Sequence, residues 1–331
     1  MLDKALNLTF RYASHMPEAM LRAIFQAVAA VAWFFHAGGV CQLEKNLRRV
    51  LISRDGKATR LQLRRLSLLA MRSYFAYFAE TMTVGARSDE QLHARIRGTG
   101  DGFDSIRRLC AHGSAPLAMG HQGNWDYAGF WAHDAIAPVT TVAERLSDEK
   151  LLQAFIDIRE SLGMSILLTG EKNLTERLVA VLRQSHRIVP LLADRDLGRR
   201  GEFVHAFGSV IRVAPGPARI ALERSLPLYV VNMHRELLSG ARRKAAGVRY
   251  GYVCQIRGPI EIDPFLQMPR DQAVNALSQR WVDLWAQGVA EHPEDWHMMQ
   301  PIFIEDLDMS RLHDVPQDIR ALVTDSDKMH G

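Results

Sequence analysis

Pro116-Leu117-Ala118-Met119-Gly120-His121-Gln122-Gly123-Asn124-Trp125-Asp126 is the stretch on which the reading of this chain turns. A short apolar run ends on glycine, a polar turn containing a second glycine follows, and an apolar helical pattern begins after Asp126. That order spells strand, turn and helix start, with Asn124 or Asp126 as the side chain able to cap the helix. In open α/β sheets ligands bind beyond the carboxyl ends of the strands, so His121 and Asp126 sit where chemistry is expected.

Outward from this stretch the same pattern repeats. Short apolar runs predict strands over 94–97, 116–120, 139–143, 166–169, 188–193, 228–233 and 252–257. Amphipathic segments between them predict helices over 104–110, 148–162, 172–184, 215–224 and 270–291. Strands alternating with helices indicate an α/β fold, a mostly parallel central sheet flanked by helices on both faces. Further helices are expected over 19–40, 42–53 and 58–82, an N-terminal helical extension. No low-complexity linker or internal repeat divides the chain. Residues 1–308 are therefore expected to form one domain, with 1–85 as membrane-facing helices, 90–308 as the α/β core, and 309–331 as a polar tail.

Arg22, Gln26 and His36 interrupt the apolar segment over 19–40, whereas a membrane span needs about 20 predominantly apolar residues. Two readings stay open: a buried core helix, or a helix lying in the interface with Trp33, Phe34 and Phe35 in the headgroup layer. The segment over 58–82 sets Arg60, Arg64, Arg65 and Arg72 against Leu61, Leu66, Leu69, Tyr74 and Phe78. Such a face is either simply solvated or drawn to anionic lipid.

The 331 residues are 47% hydrophobic and 24% charged, an ordinary globular balance with ample chain for a core. The net charge of +4 fits an anionic partner, and membrane phosphate, coenzyme A and nucleic acid all satisfy that sign. Cys41, Cys110 and Cys254 are far apart and form no CxxC pair, which speaks against a zinc site or a disulfide framework. No signal-peptide pattern opens the chain, so a cytoplasmic setting is expected.

His121 and Asp126, spaced across a turn, can come within hydrogen-bond reach. The carboxylate would orient one ring nitrogen and leave the other as a general base. Such a pair suits deprotonation of an alcohol that attacks a thioester, with no nucleophilic Ser or Cys required. Other readings compete: Asp126 as a helix cap only, Asp134 as the acidic partner, or a metal-dependent hydrolase using the nearby His133-Asp134. The further Asp and His ligands such a metal site needs are not found at upstream strand ends.

His121-Gln-Gly-Asn-Trp-Asp126 resembles the H-x4-D motif of the lysophospholipid acyltransferase superfamily, in the branch containing lipid A acyltransferases. Thr141-Val-Ala-Glu-Arg145, Arg159-Glu-Ser-Leu-Gly163, Leu192-Ala-Asp-Arg-Asp196, Ala214-Pro-Gly-Pro-Ala218 and His292-Pro-Glu-Asp-Trp296 follow in order. That ordered set resembles the actinobacterial phosphatidylinositol mannoside acyltransferases over roughly residues 15–307. H-x4-D alone is a weak signal; the ordered set is a specific one.

The resemblance implies an acyl-CoA-dependent O-acyltransferase. It would move a long fatty acyl chain to a mannose hydroxyl of a phosphatidylinositol mannoside, working peripherally on the cytoplasmic face of the plasma membrane. His121 would be the base and Asp126 its orienting partner. Glu144, Arg145, Arg159, Asp194 and Asp196 would hold substrate, Arg159 through a phosphate. The basic loop Gly198-Arg-Arg-Gly201 would meet coenzyme A phosphates or be a solvated turn. Backbone amides of Gln122 to Asn124 are candidate oxyanion donors. Trp296 and His297 are expected to pack or anchor. Acyl-CoA is a co-substrate, with no cofactor, metal or nucleic acid expected. The alternative acceptors are another glycolipid or a lysophospholipid, although no Phe-Pro-Glu-Gly-Thr-type run typical of phosphatidic-acid-forming relatives occurs. A membrane-binding module without catalysis is the reading from a different class.

Overall fold

The computed structural model describes residues 16–320 except 197, 199, 200, 309, 311, 313, 314 and 318. The strands are Ile96–Thr99 (β1), Ser114–Met119 (β2), Thr140–Ala143 (β3), Ser165–Leu168 (β4), Arg187–Leu192 (β5), Glu202–Ala206 (β6), Ser209–Val213 (β7), Leu228–Leu237 (β8) and Tyr250–Ile260 (β9). The helices are Glu18–Phe34 (α1), Val40–Asp55 (α2), Arg60–Thr83 (α3), Asp89–Arg95 (α4), Phe103–Cys110 (α5), Trp125–Ala135 (α6), Glu149–Ser161 (α7), Leu174–Val181 (α8), Gly216–Arg224 (α9), Gly240–Ala246 (α10), Asp263–Leu266 (α11) and Arg270–Glu291 (α12).

The central sheet runs β1-β9-β8-β2-β5. Its pairings are parallel except β8 with β9, so the sheet is the mostly parallel one expected. Every residue of β2 is buried, as a strand covered on both faces must be. Its period of two divides the core: Leu117 and Met119 join Phe130 and Trp131 of α6 on one face, while Ala118 joins Trp281 and Trp285 of α12 on the other. β3 and β4 form a separate parallel pair, linked to β5 by a bridge between Val139 and Ile188.

Several elements escaped the pattern reading: the helices α4, α10 and α11, with residues 94 and 95 helical where a strand was expected, and two features of the strands. β6 and β7 form an antiparallel hairpin whose turn residues, Phe207 (φ 53°) and Gly208 (φ 74°), both have positive φ, the two-residue geometry that matches strand twist. β8 and β9 run on as a paired ribbon to Leu237 and Tyr250, past their apolar stretches. Backbone pairing continues there without any burial signal in the side chains.

The N-terminal helices are tied to the core by buried charge. Glu18 takes a two-pronged contact from Arg95, 3.0 and 2.9 Å, and Arg95 is 2% exposed. Glu80, near the end of α3, accepts from Arg22 (2.9 Å), Tyr252 (2.7 Å) and Asn124 (2.9 Å). Asn124 also caps α6 through its Oδ1 on Tyr127 N (3.0 Å), so α3 and the turn after β2 are positioned by one amide.

The helix expected over 19–40 ends at Phe34. Trp33 turns inward, donating to Ser67 Oγ at 2.8 Å beneath the Arg64 guanidinium, while Phe34 and Phe35 stay exposed. Among the described residues no helix is long and apolar enough to cross a membrane. Within the stretch expected as a polar tail, Val315 and Ile319 are buried beside Val210 and Ile304. Residues 321–331 lie outside the described residues.

Candidate active site

β2 and β5 are neighbouring parallel strands paired Met119 to Leu192, so the residues two beyond each end, His121 and Asp194, emerge side by side. His121 Nδ1 lies 2.5 Å from Asp194 Oδ1, and the His121 amide donates to Asp194 Oδ2 at 3.0 Å. The Trp296 indole N–H donates to the same Oδ2 at 3.0 Å. Asp194 is fully buried. Burial raises its carboxyl pKa, but the His121 charge and hydrogen bonds, with those of Trp296 and the His121 amide, outweigh that and hold it below the usual carboxylate range. An ionised carboxylate can only accept, so Nδ1 is the donor in this contact and Nε2 is the ring nitrogen left to face a substrate.

The expected contact between His121 and Asp126 is not made. Because Asn124 starts α6 at Trp125, Asp126 lies in the first helical turn and its carboxylate is directed elsewhere. It accepts from Arg159 Nε (2.8 Å), Tyr77 OH (2.9 Å) and Thr81 Oγ1 (3.3 Å) and is 1% exposed. Burial and the Asp126 charge raise the Tyr77 phenol pKa, so it stays protonated as a donor. Asp126 thus joins α3, α6 and α7, and Arg159 is engaged with it. Asp134 sits on an outer face between His93 (3.0 Å) and His133 (2.9 Å), away from His121. Among the described residues no three His, Cys, Asp or Glu side chains are grouped so as to hold a metal ion.

His121 stands at the edge of a cavity of about 490 Å³. Its far wall is apolar, with Leu117, Ala132, Ile136, Val139, Ile188 and Ile256. Along α6 the lining residues run from Trp125 to Ala132, roughly 10 Å at the helical rise, and Ile136 continues the wall just beyond the helix. Glu144, Arg159 and Arg195 also line it, and Glu144 pairs with Arg195 at 2.9 Å. Arg145 is exposed beside Glu144 and outside the lining; its amide donates to Thr169 Oγ1 at 2.9 Å. Asp196 departs from the site and pairs with Arg212 of β7 at 2.7 Å. Arg199 and Arg200 of the basic loop lie outside the described residues.

The turn itself is closed by the segment after α12. Gly123, at φ 57°, donates to the Asp295 carbonyl (2.9 Å), His297 N donates to the His121 carbonyl (2.7 Å), and Gln122 N to the Gly120 carbonyl (2.8 Å). The amides of Gln122 and Gly123 are therefore spent and are not free oxyanion donors. A Cβ on Gly120 would come within 2.9 Å of Asp194 Oδ2 and overlap the Trp285 indole, so only glycine fits there. His297 is buried with Nε2 3.0 Å from Ser73 Oγ, and burial depresses its pKa to about 3. Pattern reading missed Tyr77 as a lining group and Trp296 as a partner of Asp194. For Asp194 itself, the matched strand ends of 116–120 and 188–193 were the usable signal.

Residues 5–304 match the family model described as bacterial lipid A biosynthesis acyltransferase. A phosphatidylinositol mannoside acyltransferase of Mycobacterium tuberculosis (strain CDC 1551 / Oshkosh) is 34% identical over 298 residues, 89% of this chain and 86% of that protein. One from Mycolicibacterium smegmatis is 34% identical over 309 residues, 91% of each chain. The chain belongs to the bacterial lipid A biosynthesis acyltransferase family and is an acyltransferase.

Proposed function

We propose that this protein moves a long fatty acyl chain from acyl-CoA to a mannose hydroxyl of a phosphatidylinositol mannoside, with His121 as general base and Asp194 as its orienting partner. The observation that carries the reading is His121, part-exposed and paired with the fully buried Asp194, in the lining of a largely apolar cavity. The acyl chain occupies the cavity along α6, which leaves the thioester beside His121. Nε2 takes the proton of the acceptor hydroxyl as its oxygen attacks the thioester carbonyl. The tetrahedral intermediate collapses with loss of the coenzyme A thiolate, and the imidazolium returns the proton to it. Asp194 stabilises the imidazolium in between. Tyr127 N is taken by the Asn124 cap, so the amides of Trp125 and Asp126 at the start of α6 are the donors this reading assigns to the developing oxyanion. Glu144 and Arg195 hold the polar part of a substrate, and Asp126 acts by fixing Arg159 and Tyr77 around it.

The mannoside acceptor follows the printed names of the relatives. Membrane contact is supported by the outer face of α1: Met20, Ile24, Val28, Val31 and Phe34 recur at helical spacing and are each close to half exposed or more. Leu61 and Leu69 of α3 add to the exposed apolar surface, and the same helix sends Tyr74, Tyr77 and Phe78 into the cavity lining. This face would rest on the cytoplasmic side of the plasma membrane.

The test is incubation of the purified protein with palmitoyl-CoA and phosphatidylinositol mannosides, following free thiol and acylated lipid, with His121→Ala as control. Mannoside-dependent thiol release that His121→Ala lacks is expected. Equal transfer by the variant overturns the base assignment. Transfer only to another glycolipid or a lysophospholipid overturns the acceptor, and chelator-sensitive hydrolysis overturns the mechanism.

A further inference from the structure

We infer that Trp296 is a positioning residue for the catalytic pair, fixing the Asp194 carboxylate so that it in turn fixes the His121 ring; this rests on His121 being the base. Asp194 Oδ1 is engaged by His121 Nδ1. Its Oδ2 has two donors, the amide of His121 and the indole of Trp296. Without the indole, the carboxylate is held only by the residue it must orient. Its terminal torsion is soft, so the plane of the carboxylate, and with it the imidazole, loses its outside reference.

An indole N–H suits this task because it donates without accepting or titrating. Trp296 is itself immobilised, being fully buried and bridged to Gln122 in the catalytic turn. Its neighbours Asp295 and His297 bind the backbone of that turn on either side, at Gly123 N and the His121 carbonyl. Asp295 is anchored in turn by Arg235 Nε (2.7 Å) and Ser73 Oγ (2.5 Å). One short segment therefore sets both the backbone of the turn and the carboxylate beneath it.

A control for packing is built into the fold. Trp285 is as buried as Trp296 and contacts it edge-on, ring centroids 5.6 Å apart, but its indole nitrogen has no hydrogen-bond partner. Trp285→Phe removes similar apolar volume and no hydrogen bond. The other charged and titratable groups around the pair, Asp126 with Arg159, Glu144 with Arg195, and His297, are unchanged in either variant.

The experiment compares Trp296→Phe, Trp285→Phe and wild type by kcat, KM for palmitoyl-CoA, the pH profile of kcat/KM, and the downfield proton resonance of His121 Nδ1. Trp296→Phe is expected to lower kcat about tenfold or more with KM unchanged, the loss of one hydrogen bond to a charged group. A carboxylate stripped of one donor is more basic and holds the imidazolium proton more firmly. The acidic limb therefore moves to higher pH and the Nδ1 resonance shifts. Trp285→Phe is expected to lower the melting temperature while limb and resonance stay in place. If both variants lose kcat in step with stability and neither moves limb or resonance, Trp296 is packing and the inference falls. Activity retained in His121→Ala would remove the base reading and the catalytic meaning of Trp296 with it. A resonance unmoved in Trp296→Phe removes the positioning role alone, since that readout needs no turnover.

Discussion

At the residue scale the site contains two buried carboxylates with different work, and substitution separates them. Asp194→Asn is expected to lower kcat by about 10²–10⁴-fold, through the wrong tautomer and an unsupported imidazolium, at little cost to the melting temperature. Asp126→Asn leaves the His121–Asp194 pair intact but strips the charge partner from Arg159. Breaking a buried pair costs about 3–5 kcal/mol, less here because Arg159 keeps some solvent contact. Its activity loss should follow its thermal denaturation curve, and a large kcat loss in a fully stable Asp126→Asn protein would contradict this division.

His297 adds an acid sensitivity of the fold. Burial depresses its pKa to about 3, so the native ring stays neutral where the unfolded chain, titrating near 6.5, binds a proton. The unfolded state then binds more protons, and stability held at neutral pH falls as pH drops from about 6.5 toward 3. The fall by pH 5 is about 2 kcal/mol. His234, whose pKa is also lowered by burial, acts in the same direction; His292, raised by its hydrogen bond to Glu294, opposes it. Urea midpoints at pH 7 and pH 5 test this, and His297→Phe should narrow the gap between them.

At the element scale, α6 does two jobs: its first turn lies beside His121 and one face of it lines the cavity proposed to take the acyl chain. Gly129 faces Met164 so closely that a Cβ there would overlap the methionine sulfur. Both line the cavity. Gly129→Val is expected to push the Met164 side chain into the cavity and shift preference toward shorter acyl chains. Met164→Ala should relax it toward longer or bulkier ones. Competition between decanoyl-, palmitoyl- and stearoyl-CoA reads the shift, and an unchanged preference in both variants would show that the chain lies elsewhere. This element was legible from sequence because strand, turn and cap follow one another within a few residues. The β6–β7 hairpin was not, because its strands carry His205, Arg212 and other polar residues in short runs with no turn dipeptide of the usual kind.

At the scale of the whole molecule, the exposed stripe of α1 and the cavity share α3, so the proposed membrane contact and substrate entry would be linked in one helical layer. Replacing Ile24 and Val31 together by Asp should weaken binding to anionic phosphatidylinositol-containing vesicles severalfold, through lost apolar burial and added like charge. Both side chains are exposed, so the melting temperature should change little. Undiminished vesicle sedimentation by that variant would move the membrane contact to another face.

What the sequence determined by itself is the local and periodic part of this protein: apolar runs that make strands, amphipathic segments that make helices, a helix cap at Asn124 or Asp126, and His121 at a strand end. Its ordered motifs also carried the family. The partner of His121 was decided only by the tertiary structure. Spacing favoured Asp126, five positions along, but a helical first turn directs that side chain away. Asp194 arrives through the register of two neighbouring strands, 73 residues apart in the chain, and Trp296 through a segment beyond the last long helix. Such long-range choices depend on which faces pack together, and neither local propensity nor motif spacing encodes that.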